Sequence, residues 1–164
     1  DVTAKEPTET NKGEYRYRKC AHCSHIILLR GNKEDIIDRT NEEQLARLQI
    51  PAGTVMVMEP WNGGLDIVEN APTVNEALTK TNSLSNATQV RLSKDTQLAS
   101  TNIASLLKPN RSIDLDLNGH GLLIFTPAKG NNPATTAPGN ITGNDNVTIL
   151  LKDGMIFLIQ ICHL

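Results

Sequence analysis

Residues 112–125 read S-I-D-L-D-L-N-G-H-G-L-L-I-F, and no other stretch constrains the fold as much. Ile113, Leu115 and Leu117 alternate with Asp114 and Asp116, which is the pattern of a strand with one buried and one solvated face. Asn118-Gly119 then breaks the run, because both residues tolerate positive φ. Taken locally this is a β-hairpin signal. The wider pattern opposes a hairpin: L-L-I-F places apolar side chains on both faces, so it offers no polar face to lie beside the two aspartates. Short strands that meet at polar corners without hairpin spacing suit a chain that coils, each lap stacking on the last around an aliphatic column. Each inward Ile or Leu then contributes about 1.5–3 kcal/mol of burial.

The rest of the chain is consistent with a mainly β fold. A-T-Q-V-R-L places Val90 and Leu92 on one face, and N-V-T-I-L-L and G-M-I-F-L-I-Q-I follow the same strand logic near the end. Residues 127–140, with three Pro and two Gly, read as a loop extruded from the strand framework. Farther upstream, P-A-G-T-V-M-V-M-E-P-W-N-G-G predicts a strand bounded by Gly53 and Pro60, with Val55 and Val57 alternating with Met56 and Met58. Two short helices carry capping boxes. Thr40 with Glu43 opens one, which carries Leu45 and Leu48 and stops at Pro51; Thr73 with Glu76 opens the other, which buries Val74, Ala77 and Leu78. The predicted organisation is a flexible polar arm over 1–18, an α/β knob over 19–64, and a segment over 65–164 with a capping helix and the first coils.

Composition narrows the function. The 164 residues carry 16 basic and 18 acidic side chains, a net charge of −2, which argues against a nucleic-acid binder. Aromatic residues make up 3% of the chain, so sugar or single-strand stacking platforms are scarce. No run of roughly 18 or more apolar residues predicts a membrane helix, and the N-terminus carries no apolar signal-peptide run. Because the numbered chain begins with Asp, it reads as a piece of a longer product. Four N-x-S/T sequons, at Asn86, Asn110, Asn140 and Asn146, are what abundant Asn and Thr produce by chance. Three cysteines, an odd number, fit a reduced compartment better than a disulfide scaffold.

The quoted runs V-N-E-A-L (74–78), T-Q-V-R-L-S-K-D-T-Q-L (88–98), S-I-D-L-D-L-N-G-H-G-L (112–122), N-I-T-G-N-D-N-V-T-I (140–149) and K-D-G (152–154) resemble the opening coils of pectate-lyase-like right-handed parallel β-helices. The resemblance covers about residues 73 to 160 and departs from the usual pattern at Gly121, where Thr is common. It implies a short capping helix before the first coil, with the D-L-N-G-H segment as a corner entering a stacked strand. It is a signature of shape rather than of activity. Such folds occur in phage fibres, tailspikes and bacterial surface proteins, so the expectation is a virion structural protein, the anchoring region of a head fibre or tail fibre. It would be a homotrimer docked on capsid or tail proteins, with host-surface glycan met by a distal region. The alternatives are the N-terminal part of a tailspike polysaccharide depolymerase and a zinc-binding adaptor.

Few residues suggest chemistry. K-C-A-H-C-S-H (19–25) places Cys20 and Cys23 two residues apart, as zinc ligands often are, and His25 could add a third donor. Completing four ligands would need Cys162 and His163, or symmetry mates. A second C-x-x-C is missing, so the favoured reading is two small buried thiols with zinc absent or dispensable. Redox activity is disfavoured because no βαβ context surrounds the motif. His120 beside Asp116 could act as a base, although a corner histidine bonded to backbone is the plainer reading. Asp114 and Asp116 could serve as calcium or glycosidase carboxylates, but alternation explains them as a solvated face. Met56 and Met58 beside Trp61 read as core filling before a binding patch. No catalytic residues are assigned, and no enzymatic activity is expected.

Overall fold

Alternating aliphatic residues build the chain's strands, which far outweigh its helices, and the fold is mainly β. The computed structural model describes residues 1–99, 111–125 and 148–158. In chain order the elements are β1 (Gly13–Glu14), β2 (Tyr17–Lys19), β3 (His25–Arg30), β4 (Lys33–Asp38), α1 (Glu42–Ala46), β5 (Gln49–Ile50), β6 (Val55–Trp61) and β7 (Gly64–Ala71). There follow α2 (Val74–Thr81), β8 (Gln89–Leu92), β9 (Thr96–Ala99), β10 (Ser112–Asp116), β11 (Gly121–Phe125), β12 (Thr148–Lys152) and β13 (Met155–Leu158).

The N-terminal part is antiparallel. β2, β3 and β4 form one sheet, with Ile26 opposite Ile37 and Leu28 opposite Asp35. Ile26, Leu28 and Ile37 are buried, whereas Ile36 on the other face of β4 is exposed. The expected flexible arm over 1–18 is instead bound along its length. Val2 exchanges backbone hydrogen bonds with Tyr17, Lys5 does so with Glu14, and β1 pairs with β5. The physical reason lies in Tyr15 and Tyr17, whose rings are buried and draw the polar residues around them into the fold. Gly13 allows the tight approach, since a Cβ there would run into the Lys5 carbonyl and Pro7.

β6 is buried on both faces. Val55 and Val57 enter one core with Val68, Val74, Leu78, Val90, Leu92, Ile113 and Leu115. Met56 and Met58 enter a second core with Tyr15, Tyr17, Ile26, Leu28, Ile37, Ile50 and Ile67. The methionines are therefore core filling. β6 continues through Pro60 to Trp61 rather than ending at the proline, and turns through Asn62 and Gly63 (φ 50° and 80°) into β7. It also pairs antiparallel with β8. The boundary expected at residue 64 thus falls between two paired strands of one sheet, with order β12-β10-β8-β6-β7.

The two caps differ in outcome. At α2, Thr73 Oγ1 accepts from Glu76 N at 3.2 Å, and Val74, Ala77 and Leu78 are buried as predicted. At α1 the cap is Asn41, not Thr40: Asn41 Oδ1 accepts from Gln44 N at 3.1 Å, while Thr40 donates from N and Oγ1 to Asp38. α1 ends at Ala46, so β5, rather than Pro51, follows its stop.

From β8 onward the pairing becomes parallel. β10 lies between β8 and β12, with Leu115 opposite Val90 and Leu151. β11 lies between β9 and β13, with Leu122 opposite Thr96 and Ile156. β10 and β11 belong to different sheets, so Asn118-Gly119 is a corner and not a hairpin. Ile113, Leu115, Leu117 and Leu122 are each 2% exposed or less. α2 packs against β6, β7, β8 and β9, and its Val74, Ala77 and Leu78 join the same buried cluster. The loop expected over 127–140, together with Cys162 and His163, lies outside the described residues.

Candidate functional site

Three groups of side chains carry the chemistry available in the described residues. The first is the C-x-x-C turn. Cys20 and Cys23 are joined as a disulfide at the tip of the β2–β3 hairpin. Lys19 opposite Ile26 is the last strand pair, and Cys20 N donates to His25 O at 3.2 Å just beyond it. The expectation of two buried thiols is corrected. Cys23 is exposed, along with His22 and His25, and Cys20 is half-buried, because burial begins only at Ile26. Zinc binding requires deprotonated sulfurs, and in this oxidised form the pair holds none. His25 starts β3 opposite Asp38. The Asp38 carboxylate titrates below its usual range, chiefly because Thr40 N and Oγ1 donate to it, with a smaller contribution from His25. Among the described residues no cluster of three His, Cys, Asp or Glu side chains converges on a metal position.

The second group surrounds the corner at Asn118-Gly119. His120 does not meet Asp116. Its Nδ1 lies 3.7 Å from Asp95 Oδ1, which also accepts from Gly121 N at 2.8 Å. Asp95 is 84% exposed in its side chain, so water screens that pair. Asp116 is not on a solvated face. It is 6% exposed and accepts from Gln89 Nε2 at 2.7 Å, Arg91 Nε at 2.7 Å and Asn118 N at 2.9 Å. Arg91 reaches Glu6 as well, which ties the N-terminal segment to this face. Asp114 is half-buried and pairs with Lys152 on the next strand, whose ammonium is held above its ordinary pKa by that bond. Alternation places both aspartates opposite the aliphatic column correctly. Pairing partners, supplied from 25 or more residues away, decide that the face is a closed network. Beside it, a shallow groove of about 210 Å³ is lined by Asp95, Thr96, Gln97, Gly121 and Leu123.

The third group was not anticipated from the sequence. Arg16, Glu59 and Asp66 are all buried, at 5%, 6% and 4% exposure. Arg16 forms an ion pair with Asp66, and its guanidinium stacks 3.7 Å from the centroid of the Trp61 ring. Glu59 and Asp66 are directly opposite across the β6–β7 hairpin. The Glu59 carboxyl is pushed above its ordinary pKa by burial, a shift that Arg16 opposes and Asp66 reinforces. A signal existed in the sequence: counting outward from Asn62-Gly63 places two acidic residues face to face, which demands a nearby cation.

None of the three groups brings a nucleophile, a base and an oxyanion donor together. The acid–imidazole ion pair of Asp95 with His120 lies at a solvent-screened corner. The networks around Asp116 and Arg16 use their charges on one another. Comparison with family models, curated proteins and solved structures finds no match for this chain.

Proposed function

We propose that this chain is a virion structural protein, the anchoring region of a phage head fibre or tail fibre, and that β8 to β13 are the opening coils of a right-handed parallel β-helix. One observation supports the reading above the others. Successive strands around Asn118-Gly119 enter different sheets, and each pairs in parallel with the strand one lap before and one lap after. A chain that pairs this way lengthens by adding laps, which is how a fibre shaft is built. In this reading α2 caps the first lap, the antiparallel part over β1 to β7 is the docking knob, and the chain acts as a homotrimer on capsid or tail proteins. Its role is mechanical, with no catalytic residue and no cofactor. The zinc adaptor has less support, because the sulfurs it would use are bonded to each other.

A second reading, the start of a tailspike depolymerase, draws on the groove beside the Asp95–His120 pair. The two separate experimentally. Sedimentation of the purified chain should give a trimer, and immunogold labelling of particles should place it at a fibre base. Leu115→Asp drives a charge into a dry column and should yield unfolded or insoluble protein. Asp114→Leu, which removes only a half-exposed ion pair, should stay folded and trimeric. A well-folded monomer in which both substitutions are equally harmless would refute the anchor and the coil together. Polysaccharide cleavage lost on His120→Ala would establish the depolymerase instead.

A further inference from the structure

We infer that the Cys20–Cys23 disulfide is a thiol-exchange site: a redox-sensitive clasp on an exposed hairpin tip, opened by a dithiol reductant without loss of the fold. The inference stands apart from the anchoring reading and does not need it.

Three observations carry it. The first is access. Exchange begins with a thiolate approaching a disulfide sulfur, and Cys23 lies exposed between exposed His22 and Ser24 at the end of the hairpin. The second is charge. Residues 19–25 hold the cation Lys19, the imidazoles of His22 and His25, and no acidic side chain. The nearest acidic group along the paired strands is Asp38, opposite His25, which is already engaged by Thr40 N at 2.9 Å and Thr40 Oγ1 at 2.8 Å. Basic surroundings favour both an approaching thiolate and the thiolate that leaves.

The third observation is that the clasp is redundant for the sheet. β2 and β3 are registered by Tyr17 with Leu28, Arg18 with Ile27 and Lys19 with Ile26, and the tip closes through Cys20 N to His25 O. Arg39 N donates to Ser24 O at 2.9 Å from the other side. Below them Ile26, Leu28 and Ile37 are buried in the second core. Opening the bridge therefore frees two thiols while the sheet keeps its own hydrogen bonds and core.

The chemistry balances. One thiolate of the dithiol attacks Cys23 Sγ, the Sγ–Sγ bond breaks, and its electron pair leaves on Cys20 Sγ, which takes a proton. The second thiol of the reagent, deprotonated, then attacks its own sulfur in the mixed disulfide and releases Cys23 as a thiolate that is protonated in turn. Two electrons pass to the protein, and the reagent leaves as a cyclic disulfide.

The test uses the whole chain under native conditions. It is treated with graded dithiothreitol, alkylated with iodoacetamide and read by peptide mass spectrometry, with Trp61 fluorescence and far-UV circular dichroism recorded in parallel. Cys20 and Cys23 should be alkylated together, only after reductant, at concentrations that leave both spectra unchanged. With glutathione in place of the dithiol, the trapped adduct should sit mainly on Cys23. A Cys20→Ala/Cys23→Ala double variant should keep the wild-type spectra and melting midpoint. Alkylation without reductant, alkylation only in denaturant, or loss of the fold on reduction would each overturn the inference.

Discussion

At the scale of single residues, the informative groups are charges that the fold has taken out of water. Glu59 and Asp66 face each other across β6 and β7, and Arg16 is the cation beside them. The unfolded chain ionises Glu59 near 4.5, but in the fold burial raises that value, with Asp66 adding to the shift and Arg16 subtracting. Between the two values the native state holds more protons than the unfolded state, so stability falls as pH rises through this window and the penalty persists above it. Glu59→Gln should therefore be more stable than the wild type at pH 7, and the gap should close as pH falls below 4.5. Urea denaturation at pH 4 and pH 7 measures this; a variant less stable than wild type at pH 7 would count against the assignment. Asp116 shows where residue-level reading from sequence stops. Alternation with Ile113, Leu115 and Leu117 places it on the outer face, and it is there. Whether that face is wet depends on Gln89, Arg91 and Glu6, which no local pattern brings together.

At the scale of elements, the chain gives one dipeptide two fates. Asn62-Gly63 and Asn118-Gly119 both adopt positive φ at each residue. The first joins paired strands, with Trp61 opposite Gly64, and the second joins strands of separate sheets. The dipeptide thus encodes a reversal of backbone conformation, and pairing is decided by what lies alongside. At the second corner, Leu117 N donates to Lys152 O at 2.8 Å, so the end of β12 takes a hydrogen bond that a hairpin partner would have made. The apolar character of L-L-I-F on both faces was the legible sign, since a hairpin with Asp114 and Asp116 would have left it unshielded. Helix starts were legible to within a residue. Both caps are short-range, so Thr73→Ala and Asn41→Ala should each cost about 1 kcal/mol. Thr40→Ala should cost less, because Thr40 bonds Asp38 and no helix N–H. Chemical denaturation of the three variants decides it, and a Thr40 penalty equal to that of Asn41 would return the cap to Thr40.

At the scale of the molecule, antiparallel strands of the N-terminal part and the parallel strands β8, β10 and β12 share a sheet. β6 pairs with β7 on one edge and β8 on the other, and β8 carries β10 and then β12. Composition alone suggests a joint at Asn62-Gly63-Gly64, because glycines and polar residues commonly mark linkers. The turn is instead the end of a hairpin whose strands bury Val57, Met58, Ile67 and Val68. The segment over 1–18 reinforces this union, since Glu6 reaches Arg91 and Thr8 O accepts from Gly53 N. Such long-range ties have no periodicity to betray them. A shared sheet with two cores on opposite faces should unfold as one cooperative unit, and Trp61 makes that testable. It is the single tryptophan, at the end of β6, with β8 lying between that strand and Leu115 in β10. Leu115 is 1% exposed, and truncating a buried leucine to alanine costs about 2–5 kcal/mol. In a single unit, Leu115→Ala should lower the urea midpoint seen by Trp61 fluorescence and that seen by far-UV circular dichroism by the same amount. If the Trp61 midpoint held still while the dichroism midpoint fell, the antiparallel N-terminal strands and the parallel strands would be separate folding units, and the shared sheet would be too weak to couple them.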